Sequence, residues 1–246
     1  MHEACYLVAD IGGTNTRVSL TQDTRLLQDT AQRFENKAAG SFEQILSEYL
    51  RLHGNPSIDS ICIAVAGPVN KDKAELTNVS WTIDVGELKK VSGATIARLL
   101  NDLQAQGYAL PSLESEHLEH LFGPQLARKD ERMLVCGIGT GFNIAQFVPT
   151  THEAVVPPAE AGHGRVPVRT ERERWIVDRI MADQGFASVE HILSGKGLTL
   201  LNSYICPDVS RTPQEVIKDA QNDPHALEVV DCMIGFAGSI FGDLAL

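Results

Sequence analysis

Positive charge is scarce in this chain. Its 246 residues carry 21 Lys and Arg against 32 Asp and Glu, a formal net charge of −11. That balance excludes a nucleic-acid partner held by bulk charge. An anionic ligand must therefore be held by local groups. Long apolar runs are also missing. None approaches the roughly 18 residues that a membrane span needs, so no membrane partner is expected. The first residues, Met1-His2-Glu3-Ala4-Cys5, show no basic stretch followed by an apolar one. No secretory leader is read there. Cysteines are few and scattered, at 5, 62, 136, 206 and 232, with no Cys-x-x-Cys pair. This argues against a disulfide framework or zinc cluster and for a reducing, cytoplasmic setting. Gly-x-Gly-x-x-Gly is absent as well, which disfavours a dinucleotide-binding fold.

The chain does contain ample apolar material, 43% of its residues. A chain of this length buries roughly 70% of its unfolded surface, enough for one large domain or two small ones. Two segments share one shape. Tyr6 to Leu20 and Met133 to Phe147 each read as an apolar strand, a Gly/Thr turn and a second strand. Glycines let the backbone reverse within two or three residues. The pair reads as a duplicated β-hairpin opening each half of an α/β molecule.

Between the hairpins, Ser41 to about His53 is predicted helical, with Ser41 as N-cap and Phe42, Ile45, Leu46 and Tyr49 at helical spacing. Ile58 to Ala66 suits a buried strand. Gly93 to Leu100 suits a short helix broken by Asn101-Asp102. Residues 111–130 are polar and irregular, a natural boundary. Beyond them the chain turns helical. Thr170 to Glu173 is a capping box for a helix ending near Gly185. Ser188 caps a short helix carrying Glu190 and stopped at Gly195. Thr212-Pro213 and Asp223-Pro224 open two more. In the last, Ala226, Leu227, Val230, Met233, Ile234, Ala237, Ile240, Phe241 and Leu244 form an apolar stripe without a stop signal. A homodimer burying that stripe is one expectation.

Several groups can carry chemistry. Asp10-Ile-Gly12-Gly13-Thr14-Asn15 sets a carboxylate at a strand end before a glycine turn. Turn N–H groups can meet phosphate oxygens, Thr14 and Asn15 add donors, and Asp10 can hold Mg²⁺ through water. An ordinary hairpin closed by Asp and Thr is the plainer alternative. Gly139-Thr140-Gly141 is weak alone and gains weight by repeating the first turn. The two turns would face each other across a nucleotide cleft. Asp102 could orient an attacking hydroxyl and take its proton, although Asn101-Asp102 alone reads more simply as a helix end. Glu160 and His163 lie in a Pro/Gly-rich loop and suit bonds to vicinal sugar hydroxyls. Glu190 alone is best explained by the helix dipole. His117 and His120, beside Glu116 and Glu119, read as a solvated face. Cys62 and Cys136 read as core.

Taken in order, these residues resemble the bacterial-type glucokinase family, of the hexokinase/actin-like fold. Asp10 to Arg17 is similar to that family's first phosphate motif, and Gly139-Thr140-Gly141 to its second. Ala66-Gly67-Pro68-Val69 and Thr77-Asn78-x-x-Trp81 resemble the segment that follows the first motif. Asn101 and Asp102 fall where the family has its sugar-binding Asn and catalytic Asp. Glu160, His163 and Glu190 fall on its sugar-binding Glu, His and Glu. The resemblance implies a two-lobed, ribonuclease H-like α/β fold with duplicated mixed β-sheets, divided here as 1–110 and 111–246. It implies ATP-dependent phosphorylation of glucose at the 6-hydroxyl, with Asp102 as base, the glycine turns on ATP and Mg²⁺ as cofactor. The chain departs from the family in having Ala161 where the family has glycine, and Gly164-Arg165 after the histidine. The family's adenosine-binding segment, which follows Gly-x-Leu-Ala-Leu, has no counterpart before Leu246. The competing expectation is a sugar-binding relative that is catalytically impaired, as a fragment or a regulator. The helix-turn-helix and Cys-rich zinc motif of the fold's DNA-binding repressors are absent from the sequence. The hairpins also suit an actin-like ATPase, which would not need Asn101, Asp102, Glu160 and His163.

Overall fold

The computed structural model describes residues 4–23, 25–76, 79–123 and 131–245. The chain divides into two compact units, Met1–Ala109 and Leu110–Leu246. Thr77 and Asn78, part of one motif quoted above, lie outside the described residues.

The first unit opens on β1 (Cys5–Ile11), with Leu7, Ala9 and Ile11 buried in alternation. It turns into antiparallel β2 (Asn15–Gln22), Ile11 opposite Thr16. Strands β3 (Arg25–Leu26) and β4 (Gln32–Glu35) both pair with β2. Helix α1 (Phe42–Leu52) follows, with the Ser41 hydroxyl accepting from the Gln44 N–H. Phe42, Ile45, Leu46 and Tyr49 make its buried face, as their spacing predicts. Strand β5 (Ser60–Val65) then lies parallel to β1. A small antiparallel sheet follows, built from β6 (Val69–Asn70), β7 (Lys73–Leu76) and β8 (Trp81–Asp84).

Helix α2 (Val85–Ser92) is capped by the Asp84 carboxylate and ends on Gly93 at φ 72°. That left-handed C-cap is the position glycine fills without strain. Gly93 therefore closes a helix and does not open one. The expected helix over Gly93–Leu100 is instead β9 (Ile96–Asn101), parallel to β5. Its burial alternates, with Ala97 and Leu99 inward and Ile96 and Arg98 outward. Pairing with β5 overrides the helix preference of Ala, Arg and Leu. Helix α3 (Asp102–Ala109) starts where β9 ends. The main sheet runs β3-β2-β1-β5-β9, with β4 also beside β2, and mixes parallel and antiparallel pairs.

The second unit repeats the hairpin as β10 (Met133–Ile138) and β11 (Phe142–Phe147), Ile138 opposite Phe142. Among the described residues this pair is the unit's only sheet. The mixed sheet thus occurs in the first unit, and what is duplicated is the hairpin. The reason is that, among the described residues, the chain past β11 turns helical and adds no parallel strand. Helix α4 (Glu171–Gln184) has the predicted capping box at Thr170 and Glu173 and a left-handed Gly185 at its end. Residues 189–191 form one 3-10 turn. Gly195 does not stop a helix there. It begins α5 (Gly195–Ile205), whose cap is the Ser194 hydroxyl accepting from Gly197. Helices α6 (Pro213–Asp219) and α7 (Pro224–Leu244) both carry proline in the first turn.

The inner face of α7 is Ala226, Val229, Phe236, Ser239 and Ile240, packed with α5 and α6. Leu227 and Ile234, assigned above to the stripe, are 45% and 61% exposed. The stripe that suggested a dimer is thus largely the unit's own core. Arg211, 8% exposed, ties the loop before α6 to this bundle through Asn202, Asp219 and Asp223. No helix among the described residues is long and apolar enough to cross a membrane.

Candidate functional site

The first glycine turn is closed by the Gly12 N–H donating to the Asn15 carbonyl at 2.9 Å. A residue that sequence reasoning missed holds it in place. Asn36 is 1% exposed. Its Nδ2 donates to the Gly12 carbonyl at 2.7 Å, and its Oδ1 accepts from the Thr16 hydroxyl at 2.8 Å. Its backbone N–H donates to the Thr14 carbonyl at 2.9 Å. Two turn carbonyls are thereby engaged, while the Thr14 side chain stays exposed. Satisfied buried networks of this kind rigidify what they touch. Twenty residues separate Asn36 from Thr16, so no local pattern could have revealed it.

Charge at this turn is local. Arg33 Nε donates to Asn15 Oδ1 at 3.0 Å. Arg17 lies 3.8 Å from Asp10, with both side chains more than half exposed. Such a pair contributes little to stability. It leaves Asp10 as a lone carboxylate at the end of β1. No group of three or more His, Cys, Asp or Glu among the described residues could hold a metal. The donor set suits an ion that keeps most of its waters and takes one carboxylate plus phosphate oxygens, which is the habit of Mg²⁺. His117 and His120 are both exposed and belong to no such group.

Asn101 ends β9, and Asp102 begins α3. The Asn101 Oδ1 accepts from Leu103 at 2.9 Å and Gln104 at 3.4 Å, and Gln104 Oε1 accepts from the Asn101 N–H at 3.1 Å. This reciprocal cap fixes the strand-to-helix corner. Asn101 Nδ2 also reaches the Gly67 carbonyl at 3.4 Å. The Asp102 Oδ1 accepts from the Leu103 N–H at 2.8 Å.

In the second unit the candidates converge. The Gly139 N–H donates to the Gly141 carbonyl at 2.9 Å, closing the turn. The Gly139 carbonyl accepts from Gly195 at 2.8 Å, so the turn lies at the start of α5. Glu190 sits on the other side, with Oε2 accepting from the Phe142 N–H at 3.2 Å. A Cβ on Gly141 would meet that oxygen at 2.5 Å, and one on Gly162 would lie 3.3 Å from it. Glu190 therefore joins the glycine turn to the loop that carries Glu160 and His163. Both of those side chains are exposed. The departure at Ala161 does not disturb the loop, because Ala161 is not among the residues with positive φ. The space-critical position is Gly162, where a Cβ would land on the Phe142 carbonyl oxygen. Burial raises the thiol pKa of Cys62 and Cys136. Both stay protonated near neutral pH and serve as packing.

The first unit thus carries one glycine turn with Asp10, Asn101 and Asp102. The second carries the other turn with Glu160, His163 and Glu190. The family model described as Glucokinase matches residues 7–246. The chain is 33% identical over 248 residues to a glucokinase of Brucella suis, an alignment covering 98% of this chain and 72% of that one. Among solved structures it resembles a glucokinase from an Antarctic psychrotroph, with TM-score 0.88 and 26% identity over 99% of this chain and 79% of the other. It shares the fold of a ROK family glucokinase from Streptomyces griseus solved with glucose and AMPPNP, at TM-score 0.54 and 17% identity, covering 98% and 79%.

Proposed function

The chain belongs to the glucokinase family and is a hexose kinase that phosphorylates glucose, and on that premise we propose how its residues divide the work. The phosphoryl donor is ATP, as the AMPPNP complex of the Streptomyces griseus relative suggests. Gly12, Gly13, Thr14 and Asn15 in one unit, and Gly139, Thr140 and Gly141 in the other, hold its phosphates through N–H and hydroxyl donors. Asp10 would hold Mg²⁺ through water, and the ion would supply positive charge to the phosphates. Asn101, Glu160, His163 and Glu190 hold the sugar hydroxyls. Asp102 orients the 6-hydroxyl and takes its proton as the phosphoryl group transfers. The scattered free cysteines and the need for ATP fit the cytoplasm.

One observation carries the sugar assignment. The Glu190 carboxylate is fixed by the Phe142 N–H and packed against both Gly141 and Gly162. It lies between a phosphate-type turn and the loop that carries Glu160, close enough that a Cβ on Gly141 would meet it at 2.5 Å and one on Gly162 would lie 3.3 Å from it. A site with several fixed polar groups also discriminates, since a sugar lacking one hydroxyl leaves a partner unpaired. The test pairs calorimetric titration of glucose with a coupled assay of ATP turnover. Binding with turnover supports the kinase reading. Glucose binding without turnover favours the impaired sugar-binding relative, and no glucose binding removes the sugar assignment.

A further inference from the structure

We infer that Asn143 is a positioning residue for the Glu160 carboxylate, an inference that rests on the proposed sugar-binding role of Glu160. Asn143 is the second residue of β11, half-buried beside the loop. Its side-chain amide grips that loop on both sides of Glu160. The Nδ2 donates to the Ala159 carbonyl at 2.5 Å, and the Oδ1 accepts from the Ala161 N–H at 3.0 Å. The same oxygen accepts from the Ile144 N–H at 2.9 Å, which fixes which end of the amide is oxygen. One planar group therefore sets the backbone immediately before and after Glu160.

Glu160 needs such help. Its side chain is exposed, and among the described residues no hydrogen bond or ion pair holds its carboxylate. Its own backbone carbonyl accepts only the 3.2 Å bond from the His163 N–H. The preceding chain is Pro157-Pro158, which fixes φ but donates no hydrogen bond. Direction at Glu160 must come from its neighbours' backbone, and Asn143 supplies a clamp on each. The adjacent residue completes the arrangement. The Phe142 N–H holds Glu190, and the Phe142 carbonyl abuts Gly162. The first two residues of β11 thus fix the Glu190 carboxylate and the backbone on either side of Glu160. An aliphatic residue at 143 would leave the hairpin pairing intact and release the loop, because neither clamp bond belongs to the β10–β11 ladder.

The test is a double-mutant cycle between Asn143→Ala and Glu160→Ala, read as glucose Kd by calorimetry and as KM for glucose and for ATP. Asn143→Ala should weaken glucose by on the order of tenfold, the worth of one or two neutral hydrogen bonds. The KM for ATP should stay within about twofold if the second glycine turn is undisturbed. In the Glu160→Ala background the same change should have almost no further effect on glucose. Asn143→Asp keeps the acceptor and the shape but opposes a carboxylate oxygen to the Ala159 carbonyl. It should weaken glucose in the same direction, and it serves where the alanine variant folds poorly. Unchanged glucose affinity in both Asn143 variants overturns the inference, and so do effects that simply add in the double mutant. If Glu160→Ala alone leaves glucose affinity unchanged, the sugar reading of Glu160 falls and the inference falls with it. That single-variant result separates the two failures.

Discussion

The two glycine turns look alike in sequence and are supported in different ways. The first is fastened from behind by one buried asparagine that uses its side chain and its backbone, within a six-stranded sheet. Among the described residues the second has only its hairpin for a sheet, and it is braced by the start of α5 and by the Glu190 carboxylate. The brace at the first turn is purely structural. The brace at the second is itself a candidate ligand for the sugar. A disturbance at the first turn should therefore remain a nucleotide effect. At the second it should reach the sugar as well.

Five changes would break or sharpen that contrast. The largest effect is expected at Asp102. Asp102→Ala should lower kcat by at least about 10²-fold, the usual worth of a general base, with glucose Kd changed only a few-fold. Undiminished turnover would remove the base role. Next is Gly162→Ala, which drives a methyl group into the Phe142 carbonyl. It should cost about 1–3 kcal/mol in a denaturant melt. Glucose affinity should fall with it, and unaltered glucose binding would break the proposed link between the second turn and the sugar. Asn36→Ala comes third. It leaves the Thr16 hydroxyl and the Gly12 carbonyl without their buried partner, at a cost of about 1–3 kcal/mol. Here the KM for ATP should rise while glucose Kd holds. A matching loss of glucose affinity would show that the two turns do not differ as described. Smallest are Thr14→Ala and Thr140→Ala, each expected to raise the KM for ATP by roughly threefold to tenfold, the worth of about one hydrogen bond. A change at only one of them would show which turn takes the phosphates.

Much of this arrangement is legible in the sequence where the determinants are local. Ser41, Thr170 and Asp223 announce their helices because a cap and its partner lie within three residues. Both hairpins are readable from their turns. The misreadings share one cause. Residues 94–100 have helix-forming composition, and only the parallel partner β5 makes them a strand. Gly195 reads as a stop because glycine commonly ends helices. Here it starts one, next to Gly197, where a Cβ would strike the Ile192 carbonyl. On α7 the apolar residues cover more than one face, and only contact with α5 and α6 selects Val229 and Phe236 over Leu227 and Ile234. The site follows the same rule. Glu160 stands out with His163 in its Pro/Gly-rich loop. Asp102 and Glu190 read locally as a helix end and a dipole partner and are singled out only by the ordered resemblance to the family, whereas Asn36 and Asn143 act across long sequence gaps and have no local signature.

The corner at Asn101 has a stereochemical consequence. The Leu103 N–H is shared by Asn101 Oδ1 and Asp102 Oδ1, so the two oxygens of the Asp102 carboxylate are not equivalent. One is tethered to the helix start and sets the plane of the group. Its twin, Oδ2, has no hydrogen bond among the described residues and is the oxygen left for the proton-accepting role proposed above. A half-turn of the carboxylate exchanges the two oxygens and restores the same bond, so what the tether fixes is the plane of the group. In the role proposed above, that tether would narrow the directions from which an acceptor alcohol can reach Asp102.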